Sequence, residues 1–322
     1  MTLTELKYIV AVARERHFGK AAEACHVSQP TLSVAIKKLE EELDVKLFER
    51  SASEVSVTLL GDEIIHQAQT VLEQAAAIKD IAKRGKDPLM GALKLGVIYT
   101  IAPYLLPDLV RQIMHKTPQM PLVLQENFTV KLLEMLRTGE IDCAILAEPF
   151  PDTGLAIAPL YDEPFLAVVP VAHPLANQGS VSTQELKNET LLLLGNGHCF
   201  RDHVLAVCPE FARFSSETEG IQKSFEGSSL ETMKHMVAAG MGITLVPRLG
   251  VPAGALMDKT RRIQDSMVKY LAIKDDKNES ISKPPSRRVV LVWRRSFTRY
   301  EAIAALRNAI YACELPGVER LS

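Results

Sequence analysis

The sequence predicts an α/β protein preceded by an all-α helix-turn-helix and a long linker helix. Three observations predict it. Apolar residues recur at helical spacing in three short stretches over the first 43 residues, a single apolar stripe then runs from Thr58 towards Gly85, and from Leu93 short apolar runs of strand length alternate with helical segments. With 322 residues, 47% of them hydrophobic and 24% charged, the chain can bury a core in two or three domains and does not read as disordered.

The first helix carries Leu3, Leu6, Ile9, Val10 and Ala13 on one side, and a second short helix follows at 20–25. His26-Val27-Ser28 breaks the pattern. Ser28 is an N-cap, with Pro30 in the first turn of a third helix whose Leu32, Ile36, Leu39 and Leu43 cover one face. The other face offers Gln29, Thr31, Ser33 and Lys37 near its start, side chains that reach base edges and phosphates if that helix end enters a major groove. The same pattern also serves plain helical domains. Total charge does not separate the two readings, because residues 1–58 hold eight Lys/Arg and nine Asp/Glu. Its distribution permits DNA binding: Glu40, Glu41, Glu42 and Asp44 gather at the far end of the third helix, leaving Lys37, Lys38 and Arg50 for a phosphate backbone.

From Thr58 onward Ile64, Ile65, Ala68, Val71, Leu72, Ala75, Ile78 and Ala82 recur every three or four residues, one long helix ending before Gly85, with Pro88 breaking the pattern. Such a stripe packs on the chain's own body or on a second copy, and its length favours the copy. Beyond it come a strand at 93–98, a helix at 107–115, a strand at 122–125, a helix at 131–137 ending at Gly139 and a strand at 142–147. A second set follows: strands at 165–169 and 191–194, a helix after His198, a helix at 230–239 with Ser228 and Glu231 as a capping box, and a strand at 243–246 after Gly240-Met241-Gly242. The polar stretch 274–286 is a loop, 289–293 a strand, and a closing helix begins near Thr298.

Lys and Arg number 37 against 39 Asp and Glu, a formal charge of -2, so bulk charge gives no support for nucleic-acid binding. No window approaches the ~18 apolar residues of a membrane span, and Met1–Lys7 lacks the order of a secretion signal, so a cytoplasmic protein with no membrane partner is expected. Five scattered cysteines, Cys25, Cys143, Cys199, Cys208 and Cys313, are thiols by default in that compartment, and a disulfide among them would be a switch.

The run from Phe18 to Ser33 (FGKAAEACHVSQPTLS), followed by Ile36-Lys37-Lys38-Leu39-Glu40 and Leu47-Phe48-Glu49-Arg50, resembles the N-terminal winged helix-turn-helix of LysR-type transcriptional regulators. The resemblance implies a DNA-binding winged helix-turn-helix over 1–58 and a linker and dimerisation helix over 59–88. It implies a regulatory domain over 89–322 of two α/β subdomains, about 89–163 with 270–322, and 164–269, arranged like a periplasmic binding protein with an effector cleft between them. It places Gln29, Pro30, Thr31, Ser33 and Lys37 on the recognition helix and Arg50 at the wing. The partners it implies are double-stranded promoter DNA, RNA polymerase, and further copies of the chain as a homodimer through the linker helix and a homotetramer. Ser53-Glu54 departs from the family pattern, which often has Arg or Lys in the wing.

The stretch from Gly195 to Cys208 (GNGHCFRDHVLAVC) carries the chemistry. Glycines precede Cys199, and Phe200, Val204, Leu205 and Cys208 follow at roughly helical spacing, so Cys199 stands near a helix N-terminus, where a thiolate is favoured, with His198 and Arg201 beside it. Cys208 lies on the apolar face. If the segment is helical, nine steps of ~1.5 Å separate the two Cα atoms by ~13 Å, about twice the reach of a disulfide, so bonding them requires melting the helix. Two other readings stand beside this one: both cysteines as small buried apolar residues, and a zinc site from His198, Cys199, His203 and Cys208. The zinc reading suffers because adjacent residues chelate one tetrahedral ion poorly and there is no CxxC pair.

Gly197-His198-Cys199-x-Arg201-Asp202 with Cys208, supported by Pro103–Pro107, Asp162-Glu163-Pro164, Ser229–Thr232 and Met236–Gly240, is similar to the peroxide-sensing members of the same family. That implies Cys199 as the peroxidatic cysteine and Cys208 as its resolving partner. It implies that Thr100, Thr129, His198 and Asp202 hold hydrogen peroxide and that Arg288 assists, with Arg287 as its rival. The expected protein activates or represses transcription, needs no cofactor or metal, and is not a metabolic enzyme. The alternatives are a regulator of the same family answering to a small organic inducer in the cleft, and a thiol peroxidase.

Overall fold

The computed structural model describes residues 1–50, 55–84, 87–151, 154–209, 229–252, 267–274 and 283–321. The wing residues Ser53-Glu54, the boundary at Gly85, Ser228, and residues 275–282 of the polar loop lie outside the described residues. The chain divides into two compact units, one of Met1–Asp87 with Met135–Glu140 and Ser296–Thr298, the other of the remainder.

In the N-terminal unit, α1 (Leu3–Glu15) starts at a capping box in which the Thr2 hydroxyl and the Glu5 carboxylate satisfy each other's backbone N–H. His17 caps α2 (Phe18–Ala24) through Nδ1, which accepts from the Gly19 and Lys20 N–H groups. Ser28 caps α3 (Gln29–Leu43) as the sequence predicts, its hydroxyl accepting from the Thr31 N–H. Leu6, Ile9, Val12, Leu32, Ile36 and Leu39 meet in one core. The hairpin β1 (Phe48–Arg50) and β2 (Val55–Val57) makes the two-stranded wing. Glu40 is not part of a solvated acidic cluster. Its buried carboxylate accepts from the Leu47 and Phe48 N–H groups and pairs with Lys46, fixing where the wing begins. On α4 (Leu59–Arg84), Ile65 and Ala68 pack into this core, whereas Val71 and Ile78 of the same predicted stripe stay exposed.

The second unit is an α/β body whose strands join in one nine-stranded sheet of order β4-β3-β5-β10-β6-β9-β7, with β8 and β11 also paired to β6. Its first half holds β3 (Leu93–Ile98), α5 (Ala102–Lys116), β4 (Leu122–Asn127), α6 (Thr129–Thr138) and β5 (Cys143–Ala147), with β3 parallel to both β4 and β5. The run at 165–169 is the second half of a 15-residue strand, β6 (Ala156–Pro170). Up to Pro164 that strand pairs with β10 (Ser286–Trp293), and from Phe165 it pairs with β8 (Thr244–Pro247) and β9 (Val268–Lys274). Pro164, with no N–H to donate, stands where the strand changes partners.

The second half adds β7 (Ser180–Ser182), parallel to β9, with α7 (Thr183–Leu186), α8 (Cys199–Val207) and α9 (Leu230–Ala238). The chain closes with α10 (Tyr300–Ala312) and the short β11 (Glu319–Arg320). Three sequence expectations change. Residues 191–194 form no strand: Leu191 makes an isolated bridge to Ile243, and the Leu192 N–H donates to the Ile243 carbonyl, so the apolar run is bridged at single residues instead of forming a ladder. The cap of α9 is Ser229, whose hydroxyl accepts from the Thr232 N–H, one residue later than predicted. Because β9 pairs with 166–170 and with β7, residues 270–274 sit with the second half of the sheet instead of with β10. Arg299 anchors the start of this unit by donating to the carbonyls of Pro88, Met90, Gly91 and Ala92.

Candidate functional site

Cys199 is the first residue of α8, half-exposed, with His198 as the capping residue before it. Gly197, two residues before Cys199, has φ +94°, a conformation that favours glycine, and a Cβ there would press on the Phe128 ring at 3.3 Å. A small open notch brings Cys199, His198 and Gly197 together with Ile98, Tyr99 and Thr100 from the end of β3 and Asn127, Phe128 and Thr129 from the junction of β4 with α6. The topology explains the meeting: β3 and β4 are adjacent and parallel, so their C-terminal ends open on the same side, where α/β sheets bind ligands.

The notch is weakly charged. His198 sits in an aromatic corner, 4.9 Å from the Phe128 ring and 5.9 Å from Tyr99, and burial lowers its pKa from 6.5, which keeps the imidazole neutral. The Thr129 hydroxyl is buried, with no hydrogen-bond partner among the described residues. The Thr100 hydroxyl accepts from Arg287 Nη1 at 2.7 Å, which leaves its own proton to donate elsewhere. Cys208 lies at the other end of α8, fully buried in the core of the second subdomain. All five cysteines are thiols.

Arg287 is a buried hub behind the notch. It donates to the Thr100 carbonyl at 3.0 Å, pairs with the buried Glu163 carboxylate at 2.9 Å and stacks 5.3 Å from the ring of Phe200, the residue after Cys199. Glu163 also accepts from the Leu249 N–H, so the group is closed on both sides. Arg288, the residue assigned to the site from the sequence, points the other way: it is exposed and pairs with Asp162. Successive residues of a strand face opposite sides, and this register turns Arg287 inward. Asp202 is likewise exposed on the first turn of α8 and does not line the notch.

The family model for the lysR-family bacterial regulatory helix-turn-helix protein matches residues 3–62, and that for the LysR substrate binding domain matches residues 86–312. The chain belongs to the LysR family. A LysR-family relative, the DNA-binding transcriptional dual regulator OxyR of Escherichia coli, is 39% identical over 307 residues, 94% of each chain. Among solved structures, full-length OxyR from Pseudomonas aeruginosa, a cysteine-to-aspartate variant, superposes with a TM-score of 0.68 at 45% identity, covering 98% of this chain and 96% of that one. A hydrogen-peroxide-bound mutant of OxyR from Corynebacterium glutamicum gives 0.59 at 33% identity over 97% and 92%.

In this LysR-family chain the remaining predicted residues fall on the helix-turn-helix. Gln29, Pro30, Thr31 and Lys37 are exposed on α3, and Ser33 is half-buried. The Thr31 hydroxyl is held by Ser28 at 2.7 Å, and Lys37 lies 3.7 Å from Glu41. The side chain of Arg50 lies outside the described residues. Sequence reasoning missed Tyr99, Asn127 and Phe128, although two aromatic residues directly preceding Thr100 and Thr129 at predicted strand ends were a usable signal. Among the described residues no three His, Cys, Asp or Glu gather as metal ligands, and no helix is long and apolar enough to cross a membrane.

Proposed function

We propose that this LysR-family chain is a DNA-binding transcriptional regulator that senses hydrogen peroxide through Cys199 and answers with a Cys199–Cys208 disulfide. The observation that supports it most is the half-exposed Cys199 at a helix start, in a notch that also holds the Thr129 hydroxyl, without a partner among the described residues, and the Thr100 hydroxyl, which accepts from Arg287 and keeps its proton to give. A peroxide molecule both donates and accepts hydrogen bonds, and two hydroxyls beside a neutral imidazole suit it better than fixed charges. The Cys199 thiolate attacks one oxygen, the O–O bond breaks, and the departing hydroxide takes a proton and leaves as water, giving a sulfenic acid. The Cys208 thiolate then attacks that sulfur, the S–O bond breaks and a second water leaves.

Arg287, through Thr100 and Phe200, supports the notch in place of Arg288. The subdomain interface carries its own bond, Tyr104 to Glu231 at 2.8 Å, where an organic inducer would need room. On DNA, Gln29, Pro30, Thr31 and Ser33 read bases and Lys37 and Arg50 bind phosphates. Exposed Val71 and Ile78 on α4 fit a homodimer, two of which make a tetramer that works on RNA polymerase in the cytoplasm, to activate or repress.

The test is peptide mapping after mild peroxide, combined with transcription from a bound promoter. The expected result is a Cys199–Cys208 bond, thiols at Cys25, Cys143 and Cys313, and no response in Cys199→Ser. Random cysteine pairing, or a full response in that variant, would overturn the reading. Turnover of peroxide with a reductant and no effect on transcription would favour a thiol peroxidase.

A further inference from the structure

The sensor helix carries a buried side chain that the proposed chemistry does not use. His203, on the third residue after Phe200 in α8, is 8% exposed. Its Nε2 lies 2.7 Å from the Glu148 carbonyl, in the segment that leaves β5, and the Glu148 N–H is itself tied to the Arg288 carbonyl on β10. The carbonyl oxygen can only accept, so Nε2 carries the proton. Nδ1 is then an acceptor, buried with no hydrogen-bond partner among the described residues. The ring packs against Phe165 of β6 and Phe200, at 6.1 and 6.3 Å between centroids.

The charged groups around it are few. Arg287 of β10 disfavours a second positive charge, and Asp202 on its own helix favours one more weakly. Thus His203 is a neutral hydrogen-bond donor whose far end spends nothing on partners. Among the described residues its one polar contact spans from the second subdomain's helix to a backbone fixed on the first subdomain's strands.

We infer that His203 is a positioning residue, a latch that holds α8 on the first subdomain until Cys199 is oxidised, and so sets how readily the helix opens for Cys208 to reach Cys199. The inference rests on the peroxide reading for its second half, since only that chemistry needs the helix to open. Sulfenic acid formation at Cys199 needs no movement of α8; closure of the disulfide needs the helix to unwind, with His203 leaving the Glu148 carbonyl. Breaking the latch therefore speeds closure and leaves the first step as it was.

The experiment uses full-length protein with three variants. His203→Leu keeps bulk without a donor, His203→Asn keeps polarity without the reach, and His203→Gln restores a donor at similar reach. Hydrogen exchange of the α8 amides in the thiol form is measured without peroxide, and stopped-flow then separates sulfenic acid formation from closure. For the Leu and Asn variants, α8 exchange and closure are expected to be about five- to tenfold faster, the range set by loss of one buried hydrogen bond. The rate of the first step should hold, and Gln should return near wild type. Wild-type exchange and closure in Leu and Asn would overturn the latch, as would an equal change in the first step, or Gln failing to differ from Leu. If wild-type Cys199 is not oxidised by peroxide, the functional reading fails, and the exchange comparison still decides the latch.

Discussion

At one end of α8, Cys199 stands half-exposed beside two threonine hydroxyls, two aromatic rings and His198. At the other, the same thiol side chain at Cys208 is enclosed in a core with Phe200, Val204 and Leu245. The first environment admits a small polar oxidant; the second excludes one. The helix between them spans about 13 Å at 1.5 Å per residue, so backbone geometry keeps apart two groups that the proposed chemistry must join. The other buried thiols resemble the Cys208 end. Burial pushes Cys313 up to about 12 and Cys143 higher still, which holds both as unreactive thiols.

The largest expected effect falls on the support beneath the Cys199 end. Arg287→Ala leaves the buried Glu163 carboxylate without its cation and removes the bonds to Thr100, which should cost about 3–5 kcal/mol of stability. Arg288→Ala, which loses only an exposed pair, should leave the melting temperature of the wild type. Calorimetry on the two variants checks the contrast, and equal losses would contradict the assignment of Arg287 as the inward residue.

Thr129→Val tests the polar side of the comparison by sign. The hydroxyl has no partner among the described residues, so removing it should keep or raise the melting temperature while slowing Cys199 oxidation about tenfold. A loss of stability with oxidation unchanged would make Thr129 an ordinary structural hydroxyl.

The smallest effect is a pH dependence. Burial lowers the pKa values of His198 and His203 from 6.5, so the unfolded chain takes up protons before the folded one does. Stability is therefore complete above about pH 6.5 and lost as pH falls towards the folded values, a shallow fall in melting temperature between about pH 7 and pH 5. His203→Gln should flatten part of that slope; an unchanged profile would show that His203 does not titrate with unfolding.

Much of this arrangement was legible in the sequence because local rules decide it. Ser28 before Pro30 caps α3, glycine before Cys199 starts α8, and the apolar runs at 93–98 and 142–147 become central strands. What sequence reading missed depended on partners far along the chain. Whether Arg287 or Arg288 faces inward is a question of strand register, settled by pairing with residues more than 120 positions away. The run at 191–194 looks like a strand by composition, yet it pairs through isolated bridges, Leu191 with Ile243 among them, instead of a ladder. Phe128 and Tyr99 were missed because the pocket forms only when two parallel strands end together. Glu40 read as one of a row of acids, and became a buried acceptor because the chain folds back at Leu47.

The central claim is that α8 separates Cys199 from Cys208 and must unwind for them to bond. Hydrogen exchange across residues 200–207, measured on the thiol form and on peroxide-treated protein whose Cys199–Cys208 bond has been mapped, tests it most directly. The account predicts protected amides in the thiol form and loss of that protection in the disulfide form. Amides equally protected in both forms, with the bond present, would contradict it.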